Sequence, residues 1–389
     1  VDAIAGPLLQ KPASPADFAG SPLSRALAQP MMLGLFLPIQ SGGWTGSTLK
    51  RSTNWSFDYN AALARQAEEL GFDIVFGLAQ FLPKGGYNAV QDGTGIDSFM
   101  TVAALAAVTS RILLISTVHV LYGPWHPLHF AKFGATLDHI SKGRWGVNVV
   151  TGHRAVEHEM FGWTQIEHDR RYELADEFLA VVQHLWAADE GFSYTGAQWE
   201  MRGAYVTPKP LFGRPILVNA TGSGAGIDFA AKHSDIVFIS SPTGTAFETA
   251  IIALPDHVAK VKAAAREAGR EVRVIINPMV ILGETDAAAA NYAEAIIAHS
   301  VTEGGVFGHI ASDAHAWAKR KDYDTPRQRA LGGGNLQMIG GPEQVADSIG
   351  RLKEAGIDGV QLSFFDFAPD LALFGARVLP LLKARGLRL

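Results

Sequence analysis

Several short stretches carry side chains that could bind an anion or furnish a polar pocket. At 216–226 the chain reads "ILVNATGSGAG": a β-branched run ends on Asn219 and Thr221 and passes through Ser223 into a glycine-rich turn. Glycine lets backbone approach a ligand closely, and free N–H groups at a helix start favour an anion. A phosphate contacted by Ser223 is one reading of this stretch; a plain tight turn from strand into helix is the other. "RWGVNVVTG" at 144–152 ends in the same manner, with Asn148 and Thr151 near its close. "EHDRRYELADEF" at 167–178 sets His168, Arg170, Arg171 and Tyr172 at a helix entry, where Arg and Tyr can grip a phosphate from the side or simply be solvated.

Histidines gather in "STVHVLYGPWHPLHF" (His119, His126, His129) and "GHRAVEHEM" (His153, His158). Zinc-dependent barrel hydrolases want a His-x-His pair at the end of the first strand, and here that strand ends "FLPIQSGGW". Asp366, at the end of the last strand, suits a metal but stands alone, so no metal ligands are assigned. His119 then reads either as a polar group facing a pocket or as a core histidine. Phe36, Leu37, Trp55, Phe76, Trp125, Phe364, Phe365 and Phe367 are candidates for apolar pocket walls, or equally for core. A water-poor aromatic cavity beside a phosphate grip suits an aromatic cofactor with one phosphate.

The elements that must hold these residues follow a strand-then-helix rhythm from Met31 onward. Apolar runs fall at 33–39, 73–79, 112–120, 144–151, 216–221, 236–241, 273–282 and 359–367. Runs without polar alternation suit strands of a parallel sheet buried on both faces. Helical periodicity lies between them, as in "YNAALARQAEELG", where Leu63, Ala67 and Leu70 form one stripe and Gly71 closes the helix. Eight strands alternating with eight helices predict an α/β fold, a (β/α)8 TIM barrel. Such a barrel needs roughly 250 residues. The excess predicts an arm over 1–30, ahead of one barrel domain over 31–389. It also predicts long insertions at the C-terminal face, after strands 1, 2, 4 and 7. The longest, 284–340, reads as a lid over the site or as a subunit contact, and the arm as packed on the surface or on a neighbouring subunit.

Composition narrows the function classes. The chain has 389 residues, 48% hydrophobic and 18% charged, with a net charge of −5 and no cysteine. Disulfides, thiolate catalysis and cysteine-ligated metals are thereby excluded. The mild negative charge, with no basic block, argues against nucleic acid or an anionic membrane as partner. No apolar run reaches the ~18 residues of a membrane span, and the first thirty residues lack the pattern of an intact signal peptide, so cytoplasm is the expectation. No G-x-G-x-x-G closes a strand, which argues against a Rossmann-type nicotinamide site.

Taken together, "AEELGFDIVF", "AALAAVTSRI", "ATLDHISKGRWGVNVVTG", "HDRRYELADEF" and the turn "TGS" resemble the bacterial-luciferase-like family of flavin-dependent monooxygenases, in order and over nearly everything from Met31. The pieces look most like the branch of pyrimidine, alkanesulfonate and dimethyl-sulfone monooxygenases; "RSTNWSFDYN" and "VHVLYGPWHP" look closest to the last. The resemblance implies reduced FMN and O2 at the carboxyl face, with flavin contacts at Ala79, Gln80, Asn148, Glu157, Arg171, Tyr172 and Ser223. His119 is then the candidate catalytic residue, on the substrate side. It further implies a separate NAD(P)H:flavin reductase and a homo-oligomer, dimer or tetramer. Alkanesulfonate enzymes carry Arg and His on strand 7 and a Cys near the end of strand 2. Here strand 7 has Asn277 and Met279 and there is no Cys, which points to a neutral sulfur- or nitrogen-containing substrate. Alternatives are a deazaflavin (F420) oxidoreductase of the same fold and a metal-dependent barrel hydrolase.

Overall fold

The computed structural model describes residues 3–4, 9–79, 81, 94–121, 125–300, 325–332 and 334–389. The strands are β1 (Ala3–Ile4), β2 (Met32–Phe36), β3 (Ile74–Phe76), β4 (Leu113–His119), β5 (Trp145–Val150), β6 (Phe192–Thr195), β7 (Glu200–Ala204), β8 (Ile216–Thr221), β9 (Ile236–Ile239), β10 (Arg273–Ile276), β11 (Pro278–Leu282), β12 (Leu336–Gly340) and β13 (Gly359–Phe364). Eight of them pair in parallel in the order β10, β9, β8, β5, β4, β3, β2, β13, and β13 returns to β10 to close a barrel. These are the eight expected runs, with ends trimmed by a few residues. Their residues are buried almost throughout because helices cover one face and the barrel interior the other.

The helices that matter to the site are α1 (Pro22–Leu27), α2 (Phe57–Glu69), α3 (Ser98–Leu105), α4 (Pro127–Ser141), α5 (Ala155–Met160), α6 (His168–Ala187), α7 (Gly224–His233), α8 (Phe247–Glu267) and α9 (Asp286–Ala298). Short polar side chains start several of them: the hydroxyls of Ser56 and Ser223 accept from the N–H groups of Tyr59 and Gly226. The Asp97 and Glu167 carboxylates do the same for Met100 and Arg170. No described helix is long and apolar enough to cross a membrane.

Three details depart from the sequence expectation. The run 273–282 is not one strand. It breaks at Asn277, because Pro278 has no N–H to give the ladder, and the second half, β11, pairs with β12. The insertion 284–340 therefore ends in a strand and begins, behind its Thr285 cap, in the regular helix α9; its residues 301–324 and 333, on which the lid reading rests, lie outside the described residues. Finally, part of the excess between β5 and β8 is an antiparallel hairpin, β6–β7, which follows α6 and so sits at the opposite, amino end of the barrel.

The arm packs on its own barrel at that same end. Ser14 Oγ donates to Asp235 (2.7 Å), whose carboxylate pairs with the Arg214 guanidinium (2.6 Å). The Arg273 guanidinium donates to the Leu27 carbonyl, and Leu23 is fully buried.

Candidate active site at the carboxyl face

A cavity of about 250 Å³ opens where the strands end. Alternation along each strand decides which side chains enter it. Phe36, Phe76 and Phe238 sit on inward positions of β2, β3 and β9 and meet edge to face: Phe76 lies 4.9 Å from both of the others, centroid to centroid. Trp44, from the connection after β2, stacks on Phe36 at 4.0 Å. These rings form the apolar side of the cavity. Of the expected walls, only Phe36 and Phe76 belong to it. Leu37, Phe364, Phe365 and Phe367 are buried elsewhere, and Trp55 and Trp125 are half-buried outside the lining. Phe364 turns away to pack on Phe367 and Phe374, while the Arg51 guanidinium covers Phe365.

The opposite side is polar. Thr151, Tyr172, Thr221 and Ser223 converge around the start of α7. A Cβ built on Gly226 would fall on Thr221 Oγ1, 2.8 Å from the Tyr172 hydroxyl and 3.1 Å from Ser223 Oγ. The missing side chain thus leaves room for three hydroxyls to converge over the first turn of α7, a hydroxyl cradle on the cavity's polar side. Burial raises the Tyr172 phenol above its ordinary range, opposed by the nearby Ser223, Thr221 and Thr151 hydroxyls and by the Arg171 charge, so it stays neutral. Arg171 lines the cavity and is buried, with its guanidinium donating to the Ile166 carbonyl. A buried cation, hydroxyl donors and free N–H groups at a helix start make an anion site.

Asn148 is in the lining, but both ends of its amide are engaged. Nδ2 donates to Thr117 Oγ1 (3.2 Å) and Oδ1 accepts from the Ala220 N–H (2.9 Å), tying β4, β5 and β8 together as they splay. Asn219 makes the reciprocal tie, donating to the Val149 carbonyl at 2.7 Å. His119 faces the cavity, and its pKa is pushed down to about 3, by burial first and then by His153, His158 and Arg154. It is therefore a neutral imidazole at any working pH. Glu157 is buried beside the cavity rather than in its lining: it accepts from the Phe81 N–H (3.1 Å) and pairs with Arg154 (3.3 Å). Ala79 is buried one residue past the lining residue Leu78, and Gln80 lies outside the described residues. The structure thus gathers His119, Asn148, Arg171, Tyr172 and Ser223 on one cavity and sets Ala79 and Glu157 behind it.

Sequence reasoning missed Phe238, Trp44 and the Thr221–Gly226 apposition. The phase of "IVFISS" marks Phe238 as inward only once the β8–β9 register is known.

One further feature borders the cavity. The connection 40–56, which carries Trp44, is latched to the end of β13. Ser52 donates from both N–H and Oγ to the Asp366 carboxylate, and Thr53 Oγ1 donates to the Phe365 carbonyl. The carboxylate read as a lone metal candidate is thus occupied as a latch.

The chain matches the family described as Luciferase-like monooxygenase over residues 31–359. It is 33% identical over 364 residues to an FMNH(2)-dependent dimethylsulfone monooxygenase of Pseudomonas fluorescens, covering 91% of this chain and 95% of that one. It is 32% identical over 366 residues to the pyrimidine monooxygenase RutA of Allorhizobium ampelinum, covering 91% and 96%. Among solved structures, DmoA from Hyphomicrobium sulfonivorans superposes with a TM-score of 0.77 at 22% identity over 92% of this chain and 89% of that one, a likeness of fold.

Proposed function

The chain belongs to the luciferase-like monooxygenase family, and on that premise we propose that it is the oxygenase of a two-component system, using reduced FMN and O2 to oxidise a small neutral sulfur- or nitrogen-containing compound. The observation that carries this reading is the hydroxyl cradle at Gly226 beside a cavity sided by Phe36, Phe76 and Phe238. Thr221 Oγ1 is buried there without a partner of good hydrogen-bond geometry, as expected of a group that awaits a phosphate oxygen. One phosphate at the cradle and one flat aromatic ring against the phenylalanines match the two halves of FMN.

Bound FMN, once reduced, supplies the electrons that activate O2. The chain supplies placement and dryness. Ser223, Tyr172 and Thr221 fix the phosphate, with Arg171 balancing its charge. The aromatic side, capped by Trp44, keeps water from the reacting edge. His119, held neutral, offers a hydrogen bond to a polar oxygen without titrating. His119→Phe, which keeps a flat ring but removes the hydrogen bond, is therefore expected to keep FMN affinity, lower product formation about tenfold, the scale of one hydrogen bond, and release the difference as hydrogen peroxide. Because the imidazole stays neutral, wild-type and variant pH profiles between pH 6 and 9 should run parallel. An inflection present in wild type and lost in the variant would show instead that His119 titrates in turnover as an acid or base.

Reduced flavin comes from a separate NAD(P)H:flavin reductase, and the enzyme is a cytoplasmic homo-oligomer, a dimer or tetramer. The test is oxygen uptake. NADH and FMN alone should give no substrate-dependent uptake, and a flavin reductase or photoreduced FMN should restore it across a panel of sulfones, pyrimidines and amides. Turnover with reduced F420 in place of FMN, or bleaching of bound flavin by NADH without reductase, would overturn the proposal.

A further inference from the structure

The inner wall formed by β10, β13 and β2 carries polar groups that the phosphate cradle and His119 leave unused. Ile276 lies opposite Val360, so Asn277 continues the ladder beside Gln361, and Gln361 in turn lies opposite Gly34. These three residues stand in one row on the inward face. A Cβ on Gly34 would fall on Gln361 Oε1; the glycine is what leaves room for the carboxamide. Ser363, two residues on, shares the same face.

Asn277 lines the cavity, whereas Gln361 and Ser363 are fully buried beside it and outside the lining. Gln361 Nε2 and Oε1, Ser363 Oγ and Asn277 Oδ1 have no hydrogen-bond partner among the described residues. Buried polar groups are seldom left so, since an unmade hydrogen bond costs the whole desolvation penalty. No member of the row, nor Met279 and Phe36 beside it, is charged.

We propose that Asn277 at the cavity surface, backed by the unpartnered carboxamide of Gln361 and hydroxyl of Ser363, forms a recognition wall for a neutral edge with a hydrogen-bond donor next to an acceptor, as in a cyclic amide, imide or ureide. The proposal rests on the FMN reading above. A carboxamide with both ends free is complementary to another cis-amide edge. A sulfone offers acceptors alone and would leave Gln361 Oε1 unmet. A sulfonate or carboxylate would bring a charge that nothing in the row balances. Asn277 meets the ligand at the cavity surface; Gln361 reaches it by turning toward Asn277 or through one bridging water. Two molecules carry such an edge, the pyrimidine end of the flavin and a pyrimidine-like substrate, and the experiment separates them.

Wild-type protein is first titrated with FMN; failure to bind would sink the functional reading rather than this wall. Gln361→Met, which keeps length and removes both polar atoms, is then compared with wild type for FMN Kd. With FMN saturating, uracil and dimethyl sulfone are titrated as probes through their effect on the flavin spectrum. A tenfold weaker FMN assigns the edge to the flavin; unchanged FMN with tenfold weaker uracil and unchanged sulfone assigns it to the substrate. Either supports the wall. Unchanged affinities throughout, or sulfone weakened as much as uracil with FMN unchanged, overturn it. Should Gln361→Met not fold, Asn277→Ala at the cavity surface carries the same expectations.

Discussion

Gly226→Ala is expected to weaken FMN binding about 100-fold while leaving riboflavin binding within twofold of wild type. The substitution suits the backbone: Gly226 lies in the first turn of α7, is not among the positive-φ glycines, and Ala is favoured over Gly in helices by roughly 1 kcal/mol. The added methyl group instead enters the space between Thr221 Oγ1, the Tyr172 hydroxyl and Ser223 Oγ. Those hydroxyls must spread, and a phosphate could no longer take all three bonds. Hydrogen bonds to a charged group contribute about 1.5–3 kcal/mol each, so losing two costs about 3 kcal/mol or more. At 1.4 kcal/mol per decade that is on the order of 100-fold. Riboflavin has no phosphate and should not notice. Fluorescence titration of both flavins against a circular-dichroism control of folding decides the matter, and an equal loss for the two would remove the phosphate from the cradle.

The same few residues show what could be read before any coordinates. Ser223 and Tyr172 were legible because a glycine-rich strand-to-helix turn and a basic, aromatic helix entry are local patterns, each with its own reason to hold an anion. The eight strands were legible because a parallel strand covered on both faces does not alternate apolar with polar residues and so reads as a mostly apolar run. What escaped depends on register or on a single atom. Phe238 enters the cavity only through the pairing of β8 with β9. Thr221 serves the cradle because a residue five further on lacks a Cβ. The break at Asn277 follows from one missing N–H, and β12 could not be told from loop without β11 beside it. Ala79 and Glu157 stand in the connections after strands 2 and 4, outside the cavity lining, and such connections vary in path while the barrel stays fixed, so their place relative to the cavity is not local to the sequence.

Asp370→Asn is expected to stabilise the protein at pH 8 and to do little near pH 4.5. Asp370 lies under the latch that holds Trp44 in place. It is 7% exposed, and its Oδ2 accepts from the Asp366 N–H at 3.0 Å. Its pKa is raised from 3.8 to about 7, first by burial and then by the neighbouring Asp366 charge, against hydrogen bonds from the Asp366 and Phe365 backbone. Tyr292 and Arg51 also face this corner. The Tyr292 phenol is pushed up by burial and then by both aspartates, and Arg51 is lowered to about 10 by burial, with Asp366 opposing. A carboxyl whose folded pKa exceeds its unfolded value binds more protons when folded, so stability falls as pH rises between the two values. The full penalty is absent below about pH 4, accumulates up to about pH 7 and is constant above. Three units at 1.36 kcal/mol each set a ceiling of about 4 kcal/mol, and relaxation around the charge brings the expectation to about 2. Asn keeps an oxygen for the Asp366 N–H and carries no charge to repel its carboxylate. Thermal midpoints measured from pH 4.5 to 8.5 should therefore fall with pH in wild type and diverge upward in the variant. A constant offset, or a variant less stable at pH 8, would mean that Asp370 is ionised at little cost and that the latch does not respond to pH.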